Sequence, residues 1–387
     1  MRHDRSSTLH VRLAALALGA TLLAGCGADD AEAPGGGAGV PSSNAPSGTP
    51  SASPDAPPSQ ADTPTAPPEP AVANTVVSGL AAPWGLDFLP DGTAVVTERD
   101  SRRVLVIEDG QAREIGVLSE AVAQGEAGLL GIAVSPDFDE DQTLFLYLST
   151  GSDNRIVKAT FDGERLGTPE PILTGIPHGF THDGGRLAFG PDGYLYASTG
   201  DSGDRGLSQD EESLGGKILR MTPEGDPAPG NPDGGLVWSL GHRNVQGLAF
   251  DETGQLWASE FGDKSFDEVN RIEAGGNYGW PQVEGTGGGQ GLIDPHVTWP
   301  TDDASPSGLA YAGGHLWMAS LRGERLWRVT VTDGQASDPT AYFVGDYGRL
   351  RTVAVAPNGN LWLTTSNRDG RGDPAQGDDR ILELTLE

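Results

Sequence analysis

Cysteine occurs once in 387 residues, at Cys26, so no internal disulfide can staple this chain. Lysine is nearly missing too, with only Lys158, Lys217 and Lys264, and the formal net charge is −30. A surface so poor in cations repels nucleic acid and anionic membranes, which argues against a role on either. Helix-period apolar patterning is almost absent, so a Rossmann or α/β-barrel assignment has no support. Beyond the N-terminal run there is no Walker, zinc-ligand or G-x-S-x-G pattern, and no EF-hand loop. The glycines around Gly200 and Gly203 lack the strand-turn-helix setting of a nucleotide site.

The apolar run from Leu13 to Ala24 is too short to cross a bilayer as a mature helix. Arg2, Arg5 and Arg12 precede it, and Leu23, Ala24 and Gly25 lead into Cys26, the layout of a lipoprotein signal. The expectation is a lipoprotein signal peptide over residues 1–25, removed to leave a lipidated Cys26 and an extracytoplasmic, membrane-tethered protein. Residues 26–74 are rich in Pro, Ser and Gly with almost no large apolar side chain, and read as a disordered linker. From residue 75 to 387 the pattern is continuous.

That pattern repeats. PWGLDFLPDGTAVVTER starts at Pro83, LLGIAVSPDF at Leu129 and GRLAFGPDGYLYAST at Gly185. QGLAFDETGQLWASE starts at Gln246, SGLAYAGGHLWMAS at Ser307 and RTVAVAPNGNLWLTTS at Arg351. Each is a short apolar strand, a turn or loop and a second strand, commonly joined through Asp-Gly, Asn-Gly or Gly-Gly. Sheet modules that cannot bury both faces alone stack on their neighbours, and a radial stack closes into a propeller. The fold expected is all-β, a six-bladed β-propeller. Trp257, Trp317 and Trp362 recur at matching strand positions and are expected to pack between blades.

Two segments carry chemistry. HDGGRL at His182 to Leu187 and GHRNVQG at Gly241 to Gly247 each sit beside a repeat, bringing an imidazole and two arginines to one end of the molecule. Such a pocket suits redox or hydrolytic chemistry on an anionic ligand.

With GEAGLLGIAVSPDF, HDGGRLAFGPDGYLY, GGKILR, GHRNVQGLAF, SEFG, DEVNRI, GGNYGWP, PSGLAY and GRLRTVAVAPNG in one order, the chain from about Thr75 onward resembles the soluble quinoprotein glucose and sorbosone dehydrogenases. Its look is nearest to the bacterial aldose sugar dehydrogenases, which use pyrroloquinoline quinone (PQQ). The resemblance implies PQQ- and calcium-dependent oxidation of an aldose at C1 to an aldonolactone, with electrons passed to a quinone or another periplasmic acceptor. PQQ carries three carboxylates and an ortho-quinone, so its site needs cationic donors. The resemblance places Arg243 by the reactive carbonyl and Arg349 and Arg351 on carboxylates, with Asn244 as a neutral donor. It also makes His182 the general base, with His178 in reserve, and takes calcium on the backbone carbonyls of Gly262 and Asp263.

The chain departs from the better-known glucose enzyme at four places. Thr181 stands where the family has a carboxylate before the histidine, so the imidazole needs another partner, with Asp183 the expected one. Asp263 replaces a proline, Arg322 a cofactor-binding lysine and Glu126 a glutamine facing substrate and quinone. Arg322 keeps the charge with altered geometry, while Glu126 implies either a bridge to an arginine or a tuned pKa. Two other readings stay open: a calcium-dependent propeller lactonase, and a non-catalytic propeller that binds glycans or proteins.

Overall fold

The computed structural model describes residues 68–386, so the expected signal peptide, Cys26 and nearly all of the linker lie outside the described residues. Six four-stranded antiparallel sheets form a six-bladed β-propeller, as the repeats predict. The inner hairpins are Pro83–Phe88 with Ala94–Glu98 (blade 1), Leu129–Val134 with Thr143–Ser149 (blade 2) and Leu187–Phe189 with Leu195–Ser198 (blade 3). Blades 4 to 6 follow with Val245–Phe250 and Leu256–Glu260, Pro306–Ala312 and His315–Ser320, then Leu350–Val355 and Leu361–Thr365.

One apolar cluster fills each junction between neighbouring blades. Burying a leucine such as Leu144 or Leu146 there contributes roughly 1.5–3 kcal/mol. Trp257 and Trp317 are fully buried in two of these clusters and Trp362 packs on a third, which is the blade-packing role expected of them.

The ring closes through its termini. Pro70–Ser78 pairs antiparallel with Arg380–Leu386 and becomes the outermost strand of blade 6. This strand starts inside the stretch read from composition as linker, because alternation along PAVANTVVS finds a partner only at the far end of the chain.

The inner strands approach one another closely around the axis. A methyl group at Gly85 would lie 2.8 Å from the Ile132 nitrogen, and one at Gly308 2.8 Å from the Thr352 Cα, so these repeats need glycine where adjacent blades touch. Blade 3 carries Arg186 at the equivalent position, and its guanidinium plugs the axis. Arg186 Nε donates to the Gln246 carbonyl (2.8 Å), Nη2 donates to Thr352 Oγ1 (3.2 Å), and the group lies 4.3 Å above the Trp84 ring. Arg186 also lines one end of an axial channel of about 450 Å³ that is otherwise mostly apolar.

Candidate active site

In antiparallel hairpins, the loop into each inner strand and the loop out of each second strand lie at the same end of the sheet. The first set carries Glu126, His182, Arg243 and Arg349. The second carries Asp201, Gly262, Asp263, Arg322 and Asp369. Phe261 lines three adjoining crevices that together touch Glu126, Arg243, Arg322, Arg349, Arg351 and Arg371, so these groups share one mouth.

His182 has a left-handed backbone, φ 64°, a conformation costing a non-glycine residue about 1–2 kcal/mol. The surroundings hold it there: its N–H donates to Glu126 Oε2 (2.9 Å) and its carbonyl accepts the Ser202 N–H (3.1 Å). Its imidazole Nδ1 lies 2.6 Å from Asp201 Oδ1. A carboxylate there fixes the tautomer with hydrogen on Nδ1 and leaves Nε2 as the base. Asp201 is itself held by the Gly203 N–H (2.8 Å) and the Trp280 indole N–H (2.8 Å). Burial pushes the Asp201 carboxyl up, but hydrogen bonding and charge from His182, helped by Gly203 and Trp280, outweigh it and hold the group below the ordinary carboxylate range.

Asp183, expected to orient the imidazole, does not. Its Oδ1 accepts from the Asn154 amide (3.0 Å) and the Gly179 N–H (3.1 Å), because the turn at His182 sends consecutive side chains to opposite sides. The Nδ1 of His178 is buried without a hydrogen-bond partner among the described residues. Thr181 therefore costs the base nothing that Asp201 does not supply.

Arg243 is mostly buried. It lies 3.5 Å from Asp263 Oδ1 and 5.5 Å above the Trp280 ring, and its Nε is buried without any partner. Asp263 also pairs with Arg205 (3.1 Å), which covers Trp280 at 4.9 Å. Trp280 is thus part of the mouth. Asn244 is buried and its Oδ1 accepts the Gly184 N–H (3.0 Å), so half of its amide supports the His182 loop and its Nδ2 has no acceptor among the described residues.

Arg349 and Arg351 converge on one carboxylate. Arg349 Nη2 lies 2.9 Å and Arg351 Nη2 3.4 Å from Asp369 Oδ2. Arg351 also donates to Ser366 Oγ (3.1 Å) and Gln246 Oε1 (3.2 Å), so all three of its nitrogens are engaged in the floor of the mouth. Burial pushes its pKa down to about 10. The expected direct grip on a ligand carboxylate thus suits Arg349 better than Arg351. Arg322 is exposed and paired with Asp302 (3.0 Å), yet it lines the same 300 Å³ cleft as Arg349 and Arg371.

Glu126 makes the arginine bridge that its charge implied, with Oε1 accepting from Arg371 Nη1 (2.8 Å). Burial pushes its carboxyl up, but the His182 N–H and Arg371 hold it below its usual value. Asp201, Asp369 and Arg371 were not legible as site residues. Asp201 and Asp263 each fall three residues past the end of a second strand, a shared position that was the available signal.

Six arginines line the three crevices of the mouth beside six carboxylates, and Arg243 Nε is buried with no acceptor among the described residues. A ligand with several carboxylates fits such a ring. The carbonyls of Gly262 and Asp263 accept no hydrogen bond among the described residues, which leaves two oxygens of the kind a hard cation takes. No cluster of three or more His, Cys, Asp or Glu groups suited to a metal occurs among the described residues.

Residues 80–374 match the sequence profile of the Glucose / Sorbosone dehydrogenase family. The PQQ-bound aldose sugar dehydrogenase from Streptomyces coelicolor is 55% identical and superposes with a TM-score of 0.82, covering 84% of this chain and 100% of that one. Aldose sugar dehydrogenase YliI of Escherichia coli (strain K12) is 28% identical over 342 residues, 78% of this chain and 92% of its own length. Quinoprotein glucose dehydrogenase B of Acinetobacter calcoaceticus is 34% identical over 251 residues, 54% of this chain and 52% of its own. Propeller, mouth and sequence agree, and the chain belongs to the glucose and sorbosone dehydrogenase family.

Proposed function

We propose that this protein oxidises aldoses at C1 to aldonolactones, using PQQ and calcium, with His182 as general base. The observation that carries the proposal is the His182–Asp201 pair at 2.6 Å, joined through the His182 N–H and Glu126 (2.9 Å) to a mouth ringed with arginine. PQQ, when bound, supplies a two-electron acceptor for the hydride that leaves C1.

The chain supplies the rest. His182 Nε2 takes the proton of the anomeric hydroxyl, and Asp201 stabilises the imidazolium that forms without itself becoming protonated. The Arg243 guanidinium would stabilise the negative charge that develops on the bound cofactor. Arg349, Arg322 and Arg371 hold the cofactor's carboxylates, Arg351 braces them from below through Asp369, and Asn244 offers its free Nδ2. The carbonyls of Gly262 and Asp263 would hold calcium, which would supply positive charge to offset the negative charge developing on the cofactor. A quinone or another extracytoplasmic acceptor would take the electrons onward, and lipidation of Cys26 would tether the protein to a membrane surface.

The test is to titrate metal-stripped protein with PQQ and calcium, following quinone absorbance and dye reduction on an aldose panel. Stoichiometric uptake with sugar-dependent reduction is expected. His182→Gln should retain uptake and lose turnover by about 10²–10⁴-fold. No uptake, or full turnover in His182→Gln, would overturn the reading.

A further inference from the structure

The loop that offers the two carbonyls, Gly262 to Ser265, has no proline and runs into the strand that starts at Phe266. Its sequence, GDKS, is flexible by composition. Two carboxylates hold it: Asp267 Oδ1 accepts the Gly262 N–H (2.8 Å), and Glu284 Oε1 accepts four consecutive N–H groups, from Asp263 (2.7 Å), Lys264 (2.9 Å), Ser265 (2.9 Å) and Phe266 (3.1 Å). Successive amides converging on one oxygen make a concave cradle for an anion, and here the anion belongs to the protein itself. With the N–H groups turned inward to Glu284, the carbonyls at Gly262 and Asp263 are left without hydrogen-bond partners among the described residues. A side chain at Gly262 would collide with the Phe266 carbonyl, so the turn also depends on glycine there.

Glu284 is fixed in turn. The next residue, Gly285, donates its N–H to the buried Glu268 (2.7 Å), while Gln282 and Val283 donate theirs to the Gly279 carbonyl (2.8 and 3.0 Å). Trp280, in the same turn, holds Asp201 behind the base. A single short segment, Gly279 to Gly285, thus braces the imidazole on one side and the carbonyl loop on the other.

We propose that Glu284 is a positioning residue for calcium, a carboxylate that binds no metal and instead sets the loop whose carbonyls do. This rests on the calcium reading above and adds to it a group outside the ligand set. A preformed loop binds more tightly because its ordering entropy is already spent before the ion arrives. Outer-shell groups of this kind commonly change metal affinity by about 10–100-fold.

The test uses Glu284→Gln, which keeps the volume and one acceptor while losing charge, and Glu284→Ala, which loses the cradle's centre. Hydrogen exchange at amides 263–266 is measured in metal-stripped protein, and PQQ uptake is followed by absorbance as calcium is raised. Both variants are expected to exchange faster at these amides and to need about 10-fold or more calcium for half-maximal uptake. Uptake at saturating calcium should match the parent. Faster exchange with an unchanged calcium midpoint would make Glu284 merely structural and overturn the proposal, as would unchanged exchange. Parental protein that takes up PQQ regardless of calcium or chelator would overturn it at the level of the metal reading, and that failure is visible without either variant.

Discussion

At the end where the inner hairpins turn, blades 1, 3, 4 and 6 repeat one hydrogen-bond scheme. Leu89 N–H bonds the Thr93 carbonyl (2.8 Å) and Gly92 N–H the Leu89 carbonyl (2.9 Å), with the same pair at Gly190 and Gly193, Asp251 and Gly254, and Ala356 and Gly359. At the opposite end blades 1, 2, 4, 5 and 6 share one backbone bond, as from Phe261 N–H to the Asn244 carbonyl (3.2 Å) and from Ser366 N–H to the Arg349 carbonyl (2.8 Å), but the side chains beyond it differ from blade to blade. There His182 takes a left-handed backbone, Arg243 keeps an orphaned nitrogen, and Asp369 serves two arginines. The same hairpins make both ends. One end is built from local turn chemistry, which any blade can repeat, and the other from contacts between blades, which each blade meets differently.

This contrast is broken most sharply at Asp201. Asp201→Asn keeps the shape of the group, but its amide N–H no longer favours hydrogen on His182 Nδ1, so Nε2 is no longer reliably the base. We expect kcat to fall by about 10²–10⁴-fold, with PQQ uptake and melting temperature close to the parent. Stopped-flow reduction of the bound quinone by an aldose reads the chemical step directly. A rate within two- or threefold of the parent would show that the base needs no orienting carboxylate.

The same division explains what could be read without a structure. Six repeats were legible because a short apolar strand, the turn after it and a second strand arise from neighbours in sequence. His182 and Arg243 were legible through local motifs. Asp201 was not, since it lies on the far side of a hairpin from His182 and only antiparallel pairing returns it. Asp183 looked better because it is adjacent, yet adjacency in a tight turn sends side chains apart. Arg371 and Glu126, 245 positions apart, meet only because the ring closes, and no spacing rule reaches across that gap.

A turn-end change should have the opposite signature. Gly193 has φ 79° and nothing within 4 Å of a methyl group built on it, so Gly193→Ala adds backbone strain without a clash. The expected cost is about 1–2 kcal/mol in chemical denaturation, with unchanged kcat and calcium midpoint. Equal loss of activity would mean that the two ends are coupled through the blades.

The smallest effect concerns the one acid that interrupts the repeat on the axial channel. Asp87 stands where the other blades carry Ala133, Ala188, Ala249, Ala310 and Ala354, and its oxygens accept the Phe88 N–H (2.8 Å) and the Val134 N–H (2.7 Å). Burial pushes its carboxyl up to about 6, against the opposing pull of those two N–H groups. A carboxyl that holds its proton more tightly when folded favours the folded state below its unfolded pKa, and that contribution is lost as pH rises from about 4 through 6. The side chain still sees the channel, which weakens the effect. Asp87→Ala restores the residue of the other blades, so its stability relative to the parent should rise across that window. Other titrating acids cancel in the difference between the two urea midpoints. If the two proteins keep parallel pH profiles, channel water solvates Asp87 as well folded as unfolded, and the departure from the repeat carries no pH dependence.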